Sequence, residues 1–193
     1  MEQTLEKIRL VDGSLLIWIQ KTIVYDLITP VIKFITHLGD NGAIWIIFTI
    51  LLLLFKKTRR AGIYSALALL SSLLINNIIL KNLIARTRPY EIFAEVQRLI
   101  EIQRDFSFPS GHSASSFASA VAIYLGLTKD LKKKIGIALI ILATLISFSR
   151  LYVGVHYPLD VFVGIADGIL LAFGVSKIYE YFENKKSITI RLE

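Results

Sequence analysis

Residues 61–80, AGIYSALALLSSLLINNIIL, run for twenty positions without a charge, and this run constrains the fold more than any other feature of the chain. At about 1.5 Å of rise per residue, a helix of this length crosses a hydrocarbon core of about 30 Å. Shorter charge-free stretches occupy 42–55, 113–128 and 135–149, with a further one at 161–176 interrupted only by Asp167. Each is below about 20 residues, so each borrows flanking residues or is sheltered by neighbours. With a less regular stretch at 22–38, they predict an all-α, polytopic membrane bundle of about six transmembrane helices. Residues 1–20 read as an interfacial segment with an amphipathic helix over 3–20, because Glu2, Glu6, Lys7, Arg9 and Asp12 punctuate the start. That acidic start, with no clean apolar stretch or cleavage site, does not resemble a secretory signal.

Composition supports the membrane reading. Hydrophobic residues make up 54% of the 193 positions, charged residues only 19%, and the mean hydropathy is +0.62, against roughly 25% charged in an ordinary soluble domain. Cysteine is absent, which excludes a disulfide framework, a thiolate nucleophile and cysteine-ligated metal. The excess of 22 Lys+Arg over 15 Asp+Glu is placed by topology. Lys56, Lys57, Arg59 and Arg60; Lys129, Lys132, Lys133 and Lys134; and Lys177, Lys185, Lys186 and Arg191 fall on one face if the helices alternate in direction. The positive-inside rule makes that face cytoplasmic. Lys81, Arg86, Arg88, Arg98, Arg104 and Arg150 fall on the other face and need a different explanation. With no internal repeat or long linker, residues 1–193 are expected to form one membrane domain.

Three clusters meet on that opposite face. In KNLIARTRP, Lys81 and Arg88 are two helical turns apart and can point the same way as parts of an anion clamp. In FPSGH, Ser110 is a candidate N-cap, Gly111 permits close backbone approach, and the exposed N–H groups of a helix start favour an anion. In SRLYVGVHYPLD, Pro158 suits a first helical turn, so Asp160 lies within reach of His156 and can orient its imidazole for attack. Arg150 adds a third cation. Each cluster also has a plainer reading: snorkelling flanks of a helix, a simple helix start, or a structural His–Asp pair.

Taken together the three segments resemble the signature of the type 2 phosphatidic acid phosphatase superfamily. That signature is Lys, six residues, Arg-Pro; then Pro-Ser-Gly-His; then Ser-Arg, five residues, His, three residues, Asp. It is matched here at Lys81, Arg88-Pro89, Pro109 to His112, Ser149-Arg150, His156 and Asp160, all within residues 81–160. The resemblance implies a metal-independent lipid phosphatase without a cofactor. His156 would form a phosphohistidine with Asp160 orienting it, and His112 would protonate the leaving oxygen and then activate water. Lys81, Arg88, Ser110, Gly111 and Arg150 would hold the phosphoryl oxygens. Three fixed cations would supply the charge neutralisation that other phosphoryl-transfer enzymes take partly from magnesium.

The partners implied are membrane lipids and a lipid phosphate or pyrophosphate: undecaprenyl pyrophosphate, phosphatidylglycerol phosphate, phosphatidic acid or a lipid A phosphate. The site is expected at the extracytoplasmic surface of a bacterial inner or plasma membrane. Substrate choice is expected within residues 90–106, which carry Glu91, Glu95, Arg98, Glu101, Arg104 and Asp105. His37 reads as a cap on its span or as a gate, and Asp167 is expected to face the bundle interior. Several alternatives stay open. One is a non-catalytic protein that binds or transports lipid phosphates; another is an oxidative enzyme like the related haloperoxidases. Metal ligation by His112, His156 and Asp160 competes less well beside three cations. No basic-aromatic surface for nucleic acid is evident.

Overall fold

The computed structural model describes residues 2–192, with the side chains of 2, 4, 5, 133 and 186–192 set aside. Lys133, Lys186 and Arg191 of the basic clusters therefore lie outside the described side chains. Helix α1 spans Glu2–Ile23, α2 Thr29–Leu38, α3 Ala43–Leu54 and α4 Arg59–Ser72. A run of π-helical turns, Leu73–Leu80, carries α4 on to the short helices α5 (Lys81–Ile84) and α6 (Pro89–Ile92). After an irregular segment come α7 (Gly111–Gly126), α8 (Lys129–Leu131), α9 (Ile137–Tyr152) and α10 (Pro158–Leu192). No strand occurs among the described residues.

Among the described residues, three helical runs are long and apolar enough to cross a membrane: Arg59–Ile92, Lys129–Tyr152 and Pro158–Lys185. A fourth arises if α2 and α3, bent by 49° across the Asp40–Gly42 turn, count as one span. Lipid-facing positions explain why Ile47, Leu51, Leu67, Leu74, Ile78 and Leu170 are exposed on the protein alone; in water so wide an apolar surface would aggregate.

Helix α7 is the buried axis of the bundle. Ala114, Ala118, Ala120, Ala122 and Ile123 are fully enclosed, and small side chains let neighbouring backbones approach. On α10, Gly164 and Gly168 sit four apart against it: a Cβ at Gly168 would lie 2.5 Å from the Ala114 carbonyl oxygen and 2.8 Å from the Ala118 nitrogen. Gly168→Val is therefore expected to force the two helices apart and cost about 1–3 kcal/mol. A lowered thermal midpoint in detergent checks this, and an unchanged melt would contradict it.

Hydroxyl groups provide the rest of the adhesion. Ser65 Oγ lies 2.6 Å from Thr49 Oγ1 and 2.7 Å from Ser119 Oγ, and Trp45 Nε1 donates to Ser116 Oγ at 2.8 Å. These bonds link α3, α4 and α7 where water is absent. Asp167 on α10 has a partner that its sequence position did not disclose: Asn76 Nδ2 donates to Oδ2 at 2.5 Å. Asn76 thus bonds between helices. The side chain of Asn77 lies against Gly111.

Helix α1 lies against the ends of α9 and α10 that carry the segment Ser149 to Asp160. Its stripe Asp12, Leu16 and Gln20 meets the Leu159 amide, Leu151 with Val161, and the Tyr152 carbonyl, respectively. Val11 and Trp18 stay exposed on the outer side.

Candidate active site

Each cluster owes its place to a local turn. Helix α5 ends where Ala85 takes the left-handed conformation (φ 48°), its N–H bonding to the Lys81 carbonyl. The chain then extends through Arg88 (φ −74°, ψ 151°) into Pro89. Lys81 and Arg88 are thus not on one face of a single helix, as their seven-residue spacing predicted. Pro89 drives the preceding residue out of helical conformation, and the two cations meet by a turn of the chain.

Ser110 caps α7, its Oγ accepting from the Ser113 N–H at 3.4 Å and from Ser113 Oγ at 3.0 Å. Helix α9 closes at Gly154, whose φ of +74° suits glycine and whose missing side chain makes room for the Gln97 carbonyl. That turn delivers His156 beside Arg150. Helix α10 then opens on Pro158, and the Asp160 carboxylate reaches back to accept from the Tyr157 N–H at 2.9 Å, the return half of a capping box.

A cavity of about 820 Å³ collects these side chains. Lys81, Arg88, Gly111, His112, Arg150 and His156 line it; Ser110 and Asp160 stand just behind, fully buried. All eight residues singled out in the sequence therefore fall at one place, six on the wall and two supporting it. Below the polar end, the same cavity runs between α3 and α4 along Ile46, Ile50, Leu69, Leu70 and Leu73.

The two histidines have unlike surroundings. His156 Nδ1 is 3.4 Å from Asp160 Oδ2, within ion-pair range but not aligned as a hydrogen bond. Its Nε2 lies 3.4 Å from Arg88 Nη1. Burial first, then the guanidinium groups of Arg88 and Arg150, hold the His156 imidazole well below its usual value, so it is neutral. His112 Nε2 instead meets Asp40 Oδ1 at 3.0 Å, and the other oxygen of Asp40 meets His37 Nδ1 at 2.8 Å. Asp40 thereby joins His37 to His112, a link that neither its type nor the Gly-Asp-Asn-Gly turn announced.

The cations differ too. Arg150 is fully buried and, among the described residues, donates only to the neutral Thr36 Oγ1 (2.7 Å) and Gln103 Oε1 (3.3 Å) and has an unpartnered Nε. Arg88 and Lys81 share the carboxylate of Asp105, Arg88 Nη2 at 2.6 Å. Burial alone would raise the Asp105 carboxyl, but the two cations overcome it and hold it well below the usual carboxylate range.

Arg86 stands behind the site and was missed as a functional residue. It donates to Asp160 Oδ1 at 2.6 Å and Asp12 Oδ2 at 2.7 Å, and stacks 3.8 Å from the centre of the Tyr157 ring. Burial pushes the Tyr157 hydroxyl up to about 12. Two arginines lie two residues apart in RTRP, and only the fold tells the one on the cavity wall from the one behind the carboxylate.

Residues 61–184 match the sequence profile of the PAP2 superfamily. The chain is 36% identical over 155 residues to an undecaprenyl-diphosphatase of Sulfolobus acidocaldarius, covering 79% of this chain and 73% of that protein. It is 33% identical over 148 residues to phosphatidylglycerophosphatase B of Bacillus subtilis, with 72% and 69% covered. The fold matches the crystal structure of a transmembrane PAP2-type phosphatidylglycerolphosphate phosphatase from Bacillus subtilis with a TM-score of 0.74 and 29% identity, over 91% of this chain and 87% of that one.

Proposed function

Because the chain belongs to the PAP2 superfamily, we propose that its cavity carries out phosphoryl transfer from a lipid to His156 and then to water. The protein is an integral-membrane, metal-independent lipid phosphate phosphatase. The observation that carries the assignment of residues is the convergence of Lys81, Arg88 and Arg150 with two histidines on one wall. Arg150 carries most weight, since a fully buried guanidinium with only neutral described partners is completed by an anion.

In this reaction the phosphoryl oxygens sit among Lys81, Arg88, Arg150 and the N–H groups that open α7 at Gly111. His156 Nε2 attacks phosphorus, and the bond from phosphorus to the lipid oxygen breaks. His112 gives that oxygen its proton, while Asp160 holds the proton on His156 Nδ1 and faces the charge that develops on the ring. Water then yields a proton to His112, attacks the phosphohistidine, and orthophosphate leaves. The apolar wall between α3 and α4 suits the hydrocarbon tail of the substrate. Undecaprenyl pyrophosphate, phosphatidylglycerol phosphate, phosphatidic acid and lipid A phosphate all present such a phosphate at the end of a lipid.

The bundle then contains six membrane helices, α2, α3, α4, α7, α9 and α10, which make five crossings when the bent pair α2 and α3 is one passage. Helix α1 lies in the interface with Trp18 outward, as suits an aromatic anchor. The basic clusters lie on the cytoplasmic side and the cavity on the extracytoplasmic side of a bacterial inner or plasma membrane. The whole chain acts as one domain.

Orthophosphate release from these lipids by detergent-purified protein, with EDTA present and across pH, tests the reading. Release is expected, with a bell-shaped dependence. The first step needs His156 neutral and His112 protonated, so rate is lost on the acid side as His156 gains a proton and on the basic side as His112 loses one. Because burial and Arg88 depress His156, the acid limb lies below the ordinary histidine range. A profile flat from about pH 5 to 9 contradicts the opposed roles. No release by folded protein returns the chain to lipid-phosphate binding or transport.

A further inference from the structure

The phosphate cradle is already occupied by a carboxylate of the chain. Asp105 bridges Arg88 and Lys81 with its two oxygens, as two oxygens of a phosphoryl group would. We propose that Asp105 is a specificity-determining latch: it takes the place of phosphate on these two cations and yields only to a phosphate end carrying two negative charges. The proposal rests on the phosphatase reading of the cavity.

Three features make Asp105 a latch rather than a fixed support. First, the cations it closes over are enclosed while it is not: the side chains of Lys81 and Arg88 are 7% and 2% exposed, that of Asp105 54%. A half-exposed carboxylate regains water as it swings outward, so its release leaves no buried anion behind, whereas a phosphate seated below it would be held in a drier place. Second, its backbone is anchored apart from its side chain. Arg88 Nε donates to the Asp105 carbonyl at 2.9 Å, and the Ser107 N–H bonds to the Arg86 carbonyl at 2.8 Å. Rotation about the Asp105 side chain alone therefore frees Lys81 Nζ and Arg88 Nη2 without unfolding the 93–110 segment. Third, the latch engages two of the three cations and leaves Arg150 to neutral partners.

Charge decides what can open it. A phosphodiester headgroup carries one negative charge, as the carboxylate does, and gains little by exchange. A phosphomonoester or a terminal pyrophosphate brings a second charge and reaches Arg150 as well. Asp105 would thus keep the abundant diester lipids of a membrane out of the cradle while admitting terminal phosphates.

The test compares wild type and Asp105→Asn, both full-length in detergent, using inorganic phosphate as inhibitor of lipid phosphate hydrolysis. Removing a competitor that occupies the cradle most of the time raises apparent affinity by the inverse of the free fraction, here about tenfold for phosphate, with a matching fall in KM for the lipid phosphate and a smaller change in kcat. Phosphatidylglycerol, a diester, should become an inhibitor of Asp105→Asn at concentrations that leave wild type unaffected. Asp105→Glu, which keeps the charge, should gain less phosphate affinity than Asp105→Asn, and Asp105→Ala serves if the asparagine variant folds poorly. Phosphate binding that is unchanged or weaker in a folded variant overturns the latch and makes Asp105 a support of the cradle. Wild type that neither releases nor binds phosphate overturns the phosphatase reading, whereas wild type that does both with no gain in Asp105→Asn overturns the latch alone.

Discussion

His156→Ala should reduce orthophosphate release from lipid phosphates by about 10⁴-fold or more, because loss of a covalent nucleophile removes the reaction route and leaves only binding and charge stabilisation. Two nearby hydroxyls are already engaged. Ser110 Oγ is held as the cap of α7 and Ser107 Oγ is bonded to Asp160 at 2.5 Å. The cations are untouched by the change, so the variant should still bind the lipid phosphate and be competitively occupied by phosphate. His112→Ala should behave differently. An aryl phosphate whose leaving group departs without a proton should recover much of its first-step rate in that variant, since only the acid is missing. Activity that survives His156→Ala would leave a phosphatase with another nucleophile.

Arg86→Ala is expected to have the second large effect, on stability and turnover together, although Arg86 is not on the cavity wall. Its guanidinium is the bridge between two buried carboxylates, Asp12 (7% exposed) and Asp160 (0%). Breaking a buried pair by removing one partner costs about 3–5 kcal/mol, seen as a lowered thermal midpoint. Burial already raises the Asp12 carboxyl despite its bonds to Leu159 and Arg86. With Arg86 gone, Asp160 must turn away, take up a proton or draw in water, and each outcome loosens its hold on His156. Arg86→Lys keeps the charge but cannot fork between two acids, so it should fall between wild type and Arg86→Ala. Adding Asp12→Asn to Arg86→Ala should restore part of the stability by removing one unpaired charge, and little of the activity. An Arg86→Ala protein that melts and turns over like wild type would show that Asp160 needs no counterion.

The Asp12–Arg86–Asp160 link also ties α1 to the dyad. Through Asp12 the first helix contacts the same side chain that braces Asp160, and through Gln20 it holds the Tyr152 and Gln97 carbonyls beside the Gly154 turn. A segment that reads as a surface helix is thus mechanically part of the site.

Much of this protein was legible in its residues because the relevant signals are local. A charge-free run such as 61–80 has few stable states outside lipid, and Ser110 before α7, Pro158 opening α10 and Gly154 closing α9 act on the backbone within a turn of themselves. Lys81, Arg88, Ser110, Gly111, His112, Arg150, His156 and Asp160 were singled out by spacing and resemblance, and the fold gathers them at one cavity. The inference from helical spacing that Lys81 and Arg88 share a helix face did not hold, since Ala85 and Pro89 end the helix between them.

What only the tertiary structure decided is which charge answers which. Asp105 on Lys81 and Arg88, Asp40 on His112, Arg86 between Asp12 and Asp160, and Asn76 on Asp167 join residues from 17 to 91 positions apart, apart from the near neighbours within each cluster. A carboxylate on a loop looks the same in sequence whether it faces water or a buried guanidinium. Coulombic partnership depends on distance and burial, and both are set by the packing of α1, α4, α7, α9 and α10 rather than by the residue's own neighbours in the chain.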